Sequence, residues 1–186
     1  MTTSVSQTGI SFKYILVALA AVLFSWFVHE LAHWATGEAL GIDMAMTLNK
    51  SYSKSNGYSA GWQEMIISAA GPFITIVQAF LFYFLLRRNG SNLLFPFLLT
   101  PLYMRTLAGV MNFINLNDEG RISRDLGIGP LTLPLIVFAL LFFLVYRRSS
   151  QNEYTGKFIT TTVLLIMLFS SVLILVDQAM RIIIIS

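Results

Sequence analysis

Cysteine is absent from the chain, and histidine occurs only twice. Without cysteine no disulfide can form, and any metal site must be built from nitrogen and oxygen ligands. Two histidines are too few for a di-iron membrane oxygenase or desaturase, whose sites need many. Charge is scarce as well. Asp, Glu, Lys and Arg make up 11% of the residues, against about 25% in an ordinary soluble domain. Basic residues sit as pairs at the ends of apolar runs, Arg87-Arg88 and Arg147-Arg148. That placement suits a membrane protein and argues against nucleic acid as a partner. Internal repeats and low-complexity tracts are missing too.

What the chain does have is apolar sequence. Of its 186 residues, 56% are hydrophobic, and the mean hydropathy is +0.72. These residues cluster into runs of about 20, the length that spans a bilayer as a helix. Backbone amides in hydrocarbon must find partners within their own segment, so helices are expected. Five spans are predicted: Phe12 to Leu40, Met65 to Leu86, Leu93 to Leu116, Leu131 to Tyr146 and Phe158 to Ile185. The fourth is short enough to be partly re-entrant. The expected fold is an all-α membrane protein, a single integral membrane domain over 1–186. Within it, 12–126 forms a core and 131–186 adds accessory helices. The apolar run that begins near Phe12 continues past the small residues Ala20-Ala21, so it reads as a retained membrane helix, not a cleaved signal. Basic residues divide almost evenly between the two sides and do not fix the orientation.

Two connections carry a pattern. In "IDMAMTLN", apolar Ile42, Met44, Met46 and Leu48 alternate with Asp43, Ala45, Thr47 and Asn49, the period of a half-buried strand. Asn56-Gly57 follows as a turn signal. A short membrane-associated β-hairpin between the first two spans is expected. The second connection, "NFINLNDEGRISRDLGIGP", is polar, acidic and rich in glycine, and reads as a loop. Gly71-Pro72 lies near the start of the second span, as a first-turn proline or a kink, with Gly71 allowing close helix approach. Arg105, in the middle of the third span, must face the bundle interior and find a partner there; a structural role is the simpler expectation. Asp177 and Gln178 are expected to pair between helices. The phenylalanines supply lipid-facing and core bulk.

Chemistry concentrates in "HELAH". Residues four apart share a helix face, so His29 and His33 can turn their rings to one ion. Zinc held in this way lowers the pKa of its bound water to about 7. Glu30 lies beside that face and is placed to take the water's proton and hand it to a leaving amine. Two packed polar histidines are the plainer alternative. Two histidines placed at random in such a chain would fall four apart roughly once in a hundred trials, before the glutamate is required. Ionisable groups in a membrane helix also cost a few kcal/mol each unless paired or bound to metal.

A catalytic zinc wants three protein ligands and one open position. With no third histidine and no cysteine, the third must be a carboxylate. The third span returns the chain to the side of the membrane where His33 lies, which brings "NLNDEGR" close. Asp118 is the first candidate and Glu119 the second. Glu38 and Asp43 are weaker, since reaching back would require the first helix to end early.

This constellation resembles the site-2 protease family of intramembrane zinc metalloproteases. The resemblance covers roughly Trp26 to Arg124. "HELAHWATGEALGI" is similar to the family's H-E-x-x-H helix with its small-residue end. "IDMAMTL" stands where the family carries membrane-associated strands. "ISAAGPFITIV" is similar to its Ala-Gly-Pro helix, and "NDEGRI" to its Leu-Asp-Gly-Gly-Arg segment. Alignment on Gly120-Arg121 places Asp118 on the metal-binding aspartate, while Glu119 stands where glycine is usual. The Asn-x-x-Pro that precedes the aspartate is not reproduced, which leaves Asn112 and Asn115 as the candidate oxyanion stabilisers. The chain has no room for a PDZ-like domain. The resemblance implies an endopeptidase with Zn2+ as cofactor, bound by His29, His33 and Asp118, with Glu30 as the catalytic base. Its substrate would be a transmembrane protein within the lipid bilayer. An unwound stretch of that substrate would add to the strand of Ile42, Met44, Met46 and Leu48. The rival expectation is a protein of the same fold that acts as a catalytically silent binding or assembly subunit.

Overall fold

The computed structural model describes residues 9–55, 61–180 and 182–186. It is mostly helical. The elements run α1 (Phe12–Ala39), β1 (Met44–Met46), β2 (Ser51–Ser53), α2 (Gly61–Asn89), a 3-10 turn (Asn92–Leu94), α3 (Phe95–Met111), α4 (Asp118–Asp125), α5 (Thr132–Gln151) and α6 (Gly156–Met180). Five helices are long and apolar enough to cross a membrane: α1, α2, α3 with its leading 3-10 turn, α5 and α6.

α1 begins at Ser11, whose side chain accepts from the Tyr14 amide at 3.2 Å, an N-cap. It ends in a Schellman motif. The Gly41 amide donates to Glu38 O and the Ile42 amide to Gly37 O, while Gly41 takes the positive φ of 76° that only glycine adopts freely. The end of "GEALGI" is thus a stop signal, and it turns the chain directly into β1. One stripe of α1, Val22, Trp26, His29, His33 and Gly37, is buried, and the helix packs against α2, α3 and α6. Its fourth neighbour is the hairpin: β1 lies so close over Gly37 that an added Cβ would meet Met44 Cγ at 2.5 Å.

Several boundaries differ from the sequence expectation. α2 starts at Gly61, four residues early, so Pro72 lies well inside the helix and is not a first-turn proline. Its missing N–H removes one bond of the helix ladder. α3 stops at Met111, where Asn112 Oδ1 accepts the Asn117 amide at 2.6 Å and Asn117 Nδ2 donates to Ala108 O at 2.9 Å. These two bonds reverse the chain and release a short helix, α4, inside what reads as a loop. Asp118 and Glu119 in its first turn and Arg124 in its last suit the helix dipole. α5 continues to Gln151 and is a 20-residue helix, not a short span.

β1 and β2 pair antiparallel with Met44 opposite Ser53 and Met46 opposite Ser51. The turn closes between Thr47 and Lys50. Asn56-Gly57 lies outside the described residues. All three residues of β1 are buried, so the expected one-sided burial does not hold: the strand is covered on both faces. α6 ends at Met180, and residues 182–186 turn back to lay Ile184 and Ile185 against β1. The Met46 amide donates to Ile185 O at 2.9 Å and the Ile184 amide to Met46 O at 2.8 Å. Four consecutive β-branched side chains favour the extended backbone that this pairing uses over another helical turn.

Polar bonds tie the bundle inside. Tyr14 Oη and Thr162 Oγ1 lie 2.8 Å apart, Trp26 Nε1 donates to Ser170 Oγ at 3.3 Å, and Gln78 Nε2 donates to Ser25 Oγ at 2.7 Å and Phe97 O at 3.0 Å. Phenylalanines take both roles expected of them, Phe95 and Phe158 in the core and Phe12, Phe73 and Phe142 on the outside. Asp177 does not pair with another helix. It accepts from Thr47 Oγ1 at 2.9 Å and from the Leu48 amide at 3.0 Å, which fastens the hairpin turn to α6; Gln178 is exposed. Asp177→Ala leaves a partly buried amide unpaired, a loss of about 1–3 kcal/mol. It should lower the thermal midpoint in detergent and raise hydrogen exchange at residues 44–53 while α1 stays protected. Unchanged exchange in the hairpin would mean that this clamp does not hold it.

Candidate metal centre

α2 shapes the site before any ligand is considered. Ile67, Gly71 and Thr75 are spaced four apart and share one face toward α1. Gly71 supplies a gap: a Cβ there would land on His33 Nε2 and against the His29 ring. The rings fill that gap at 90° to one another with centroids 4.7 Å apart. Each then finds an acceptor on α2. His33 Nδ1 lies 2.6 Å from Ile67 O. A carbonyl only accepts, so Nδ1 carries the hydrogen. His29 Nδ1 lies 3.1 Å from Thr75 Oγ1, whose own hydrogen goes to Gly71 O at 2.8 Å. Thr75 therefore accepts, and His29 also holds its hydrogen on Nδ1.

In the neutral imidazoles both Nε2 lone pairs then face the same point, 3.2 Å apart. Asp118 Oδ2, from the first residue of α4, lies 3.4 Å from each. Three acceptors converge, a costly arrangement unless a cation lies between them. Their spacing suits one. A tetrahedral ion with ligands about 2.0–2.1 Å away holds them about 3.3 Å from each other. His29, His33 and Asp118 could hold a metal ion. The second oxygen of Asp118 is fixed by Arg121 Nη2 at 3.1 Å, which also donates to Ser68 Oγ on α2 at 3.2 Å. Every candidate ligand is thus oriented by a partner, as metal ligands commonly are.

The triangle opens on a cavity of about 510 Å³. Its wall combines Asn49, Lys50 and Ser51 of the hairpin, Asn117 and Arg121, and apolar Met104, Leu107, Met111 and Ile174. Glu30 lines it too and is buried, but its carboxylate is not among the converging ligand atoms. Ser51 Oγ donates to Glu30 O at 2.8 Å, which pins β2 to α1 at this level.

The other candidates fall elsewhere. Glu119 turns away from the histidines to Arg105, whose Nη1 reaches both of its oxygens at 3.1 and 3.2 Å. Glu38 accepts the Met44 amide, and Asp43 pairs with Lys54. Asn112 is buried behind Gly120 and serves the turn before α4; Asn115 is exposed, and neither lines the cavity. Ile42, Met44, Met46 and Leu48 also lie off the cavity wall, which takes its hairpin residues from the turn and from β2. Ile67, Thr75 and Arg121 were not among the site residues expected from the sequence. Their signal was the four-residue spacing around Gly71 and, for Arg121, the i, i+3 step from Asp118.

Comparison of the chain with protein-family models, with curated proteins and with solved structures found no match.

Four substitutions test the construction of the triangle. Gly71→Ala should abolish metal binding without touching a ligand, because the new methyl occupies the space of both rings. Asp118→Ala should lower metal content as far as His33→Ala does, and Glu119→Ala by less. Elemental analysis of protein purified in detergent reads all four. A Gly71→Ala protein that still holds metal at the wild-type level would break the packing argument.

Proposed function

We propose that the chain is an intramembrane zinc metalloprotease that hydrolyses peptide bonds in or near transmembrane segments. The observation that carries this reading is the convergence of two oriented Nε2 lone pairs and one carboxylate oxygen beside a cavity that also holds Glu30. The donor set, two imidazoles and a carboxylate, is a catalytic zinc set with a position left open. Zinc there would supply Lewis acidity and a water ionised near neutral pH. The resemblance of "HELAH", "AAGP" and "NDEGR" to the site-2 protease family supports the same reading.

The remaining work falls to the chain's own groups. Glu30 accepts the proton of the attacking water and returns it to the leaving amine. The apolar wall of Met104, Leu107, Met111 and Ile174 receives substrate side chains, while the polar hairpin wall admits water. A substrate helix hides its carbonyls in its own hydrogen bonds, so it must be extended before it can react. An extended segment needs a strand edge. The outer edge of β1 carries Ile184 and Ile185 at Met46. Among the described residues nothing pairs with the outer edge of β2, and Ser51 of that strand lines the cavity.

Two contacts of one side chain favour a second reading. Arg105 Nη2 lies 3.4 Å from His29 Nε2, and Nη1 lies 3.5 Å from Asp118 Oδ2. The guanidinium could serve as the internal cation of a catalytically silent binding subunit. Paired measurement of zinc per chain and of turnover separates the two. The wild type should hold one zinc and cleave a membrane-spanning substrate in liposomes. Glu30→Gln should keep its zinc and lose about 10²–10⁴ in rate, whereas His29→Ala should lose metal and activity together. A Glu30→Gln protein with full zinc and wild-type turnover would rule out the mechanism.

A further inference from the structure

Arg105 lies midway along α3 and is 4% exposed. A buried arginine in a membrane-spanning helix costs a few kcal/mol unless it is neutralised, and Glu119 does neutralise it through Nη1. That pair alone would explain a structural arginine packed away from the site. The guanidinium is not packed away. It lines the cavity, and Nη2, the arm that Glu119 leaves unused, points at the ligand triangle. Among the described residues the shortest hydrogen bond of Nη2 is the 3.4 Å approach to His29 Nε2, and Nε has no hydrogen-bond partner. A buried guanidinium with donors left over, aimed at the reacting end of a cavity, is an anion-binding group without its anion.

Resting on the protease reading, we infer that Arg105 is a catalytic residue, the group that holds the scissile carbonyl oxygen as it becomes an oxyanion. Peptide hydrolysis turns that oxygen from neutral to negative while the carbon becomes tetrahedral, and donors fixed beforehand in a dry site stabilise the change strongly. The asparagines that the family resemblance offers for this role do not reach the cavity. The His29 Nε2 lone pair can serve one partner only. Once it is engaged by an ion, both Nη2 hydrogens are free for substrate. Glu119 then has a matching function: it holds Nη1, so that the planar fork presents Nη2 in one orientation.

Removing Arg105 alone would strand the Glu119 charge, so the test uses the double substitution R105Q/E119Q beside R105K. Three quantities are measured: zinc per chain, kcat and KM on a membrane-spanning substrate, and the affinity of the cobalt(II)-loaded protein for azide, read from its visible spectrum. R105Q/E119Q should keep its metal and lose about 10²–10³ in kcat, the cost of one oxyanion donor, with KM within a few-fold of wild type. Its azide affinity should weaken about tenfold or more, the worth of a charge-assisted hydrogen bond. R105K should recover most of the azide affinity and part of the rate. Unchanged azide affinity in the double variant, or loss of its metal, makes Arg105 a structural residue and overturns the inference. The azide titration needs no turnover. A wild type that binds metal but cleaves nothing therefore counts against the protease reading, while the titration still decides Arg105. A wild type that takes up no metal overturns both.

Discussion

Three hydrogen-bond acceptors meet where α1, α2 and α4 come together, and much of the architecture around them follows from that. Two neutral imidazoles would ordinarily turn their Nε2 atoms to donors. Here Ile67 O and Thr75 Oγ1 take the Nδ1 hydrogens and leave two lone pairs facing each other at 3.2 Å. Nothing apolar can fill that point, and water would bring only two hydrogens to three acceptors. The arrangement calls for a cation. Gly71 makes it sterically attainable, the four-residue spacing of Ile67, Gly71 and Thr75 makes it directional, and the α3–α4 turn brings in the third acceptor.

The supporting elements are fastened from several sides. The Schellman motif at Gly41 stops α1 one turn after Gly37 and sends the chain into β1 without a loop. Ser51 then ties β2 back to Glu30 O, Asp177 ties the hairpin turn to α6, and Ile184 and Ile185 cover the outer edge of β1. The hairpin is therefore fastened as a wall of the cavity, while the outer edge of β2 has no strand partner among the described residues. Such a wall suits the substrate extension proposed above, because a mobile strand would lose in ordering entropy what it gains in backbone bonds.

What could be read from the sequence follows the range of the interactions involved. Span length and hydropathy are local and averaged over many residues, so the five helices were legible, as was the shared face of His29 and His33. Asp118 was reachable because crossing the membrane an even number of times restricts which loops can meet. The errors arise where a single side chain outweighs the average. Asn112 ends α3 five residues before the apolar run does, the polar DEGRISRD segment becomes a helix on the strength of its charge placement, and Ile182 to Ile185 leave α6 because Met46 offers an unpaired amide and carbonyl. Pro72 looked like a helix start because apolar periodicity sets in only near Met65, whereas the polar turn from Gly61 belongs to α2 as well.

Arg105 and Glu119 are best understood together. Each alone would be a buried charge of the kind that a membrane bundle excludes, and Glu119 stands where the protease resemblance has glycine. As a pair they neutralise one another at 3.1 Å, and Nη1 reaches Asp118 Oδ2 only at the longer distance of 3.5 Å, so Glu119 takes the closer share of the guanidinium. Arg121 plays the corresponding part on the other side, holding Asp118 Oδ1 and leaving Oδ2 to the histidines. The carboxylate is thus divided between an orienting cation and the triangle. An acidic residue at 119 is the local condition that lets an arginine approach a cation site without expelling the cation by like-charge repulsion.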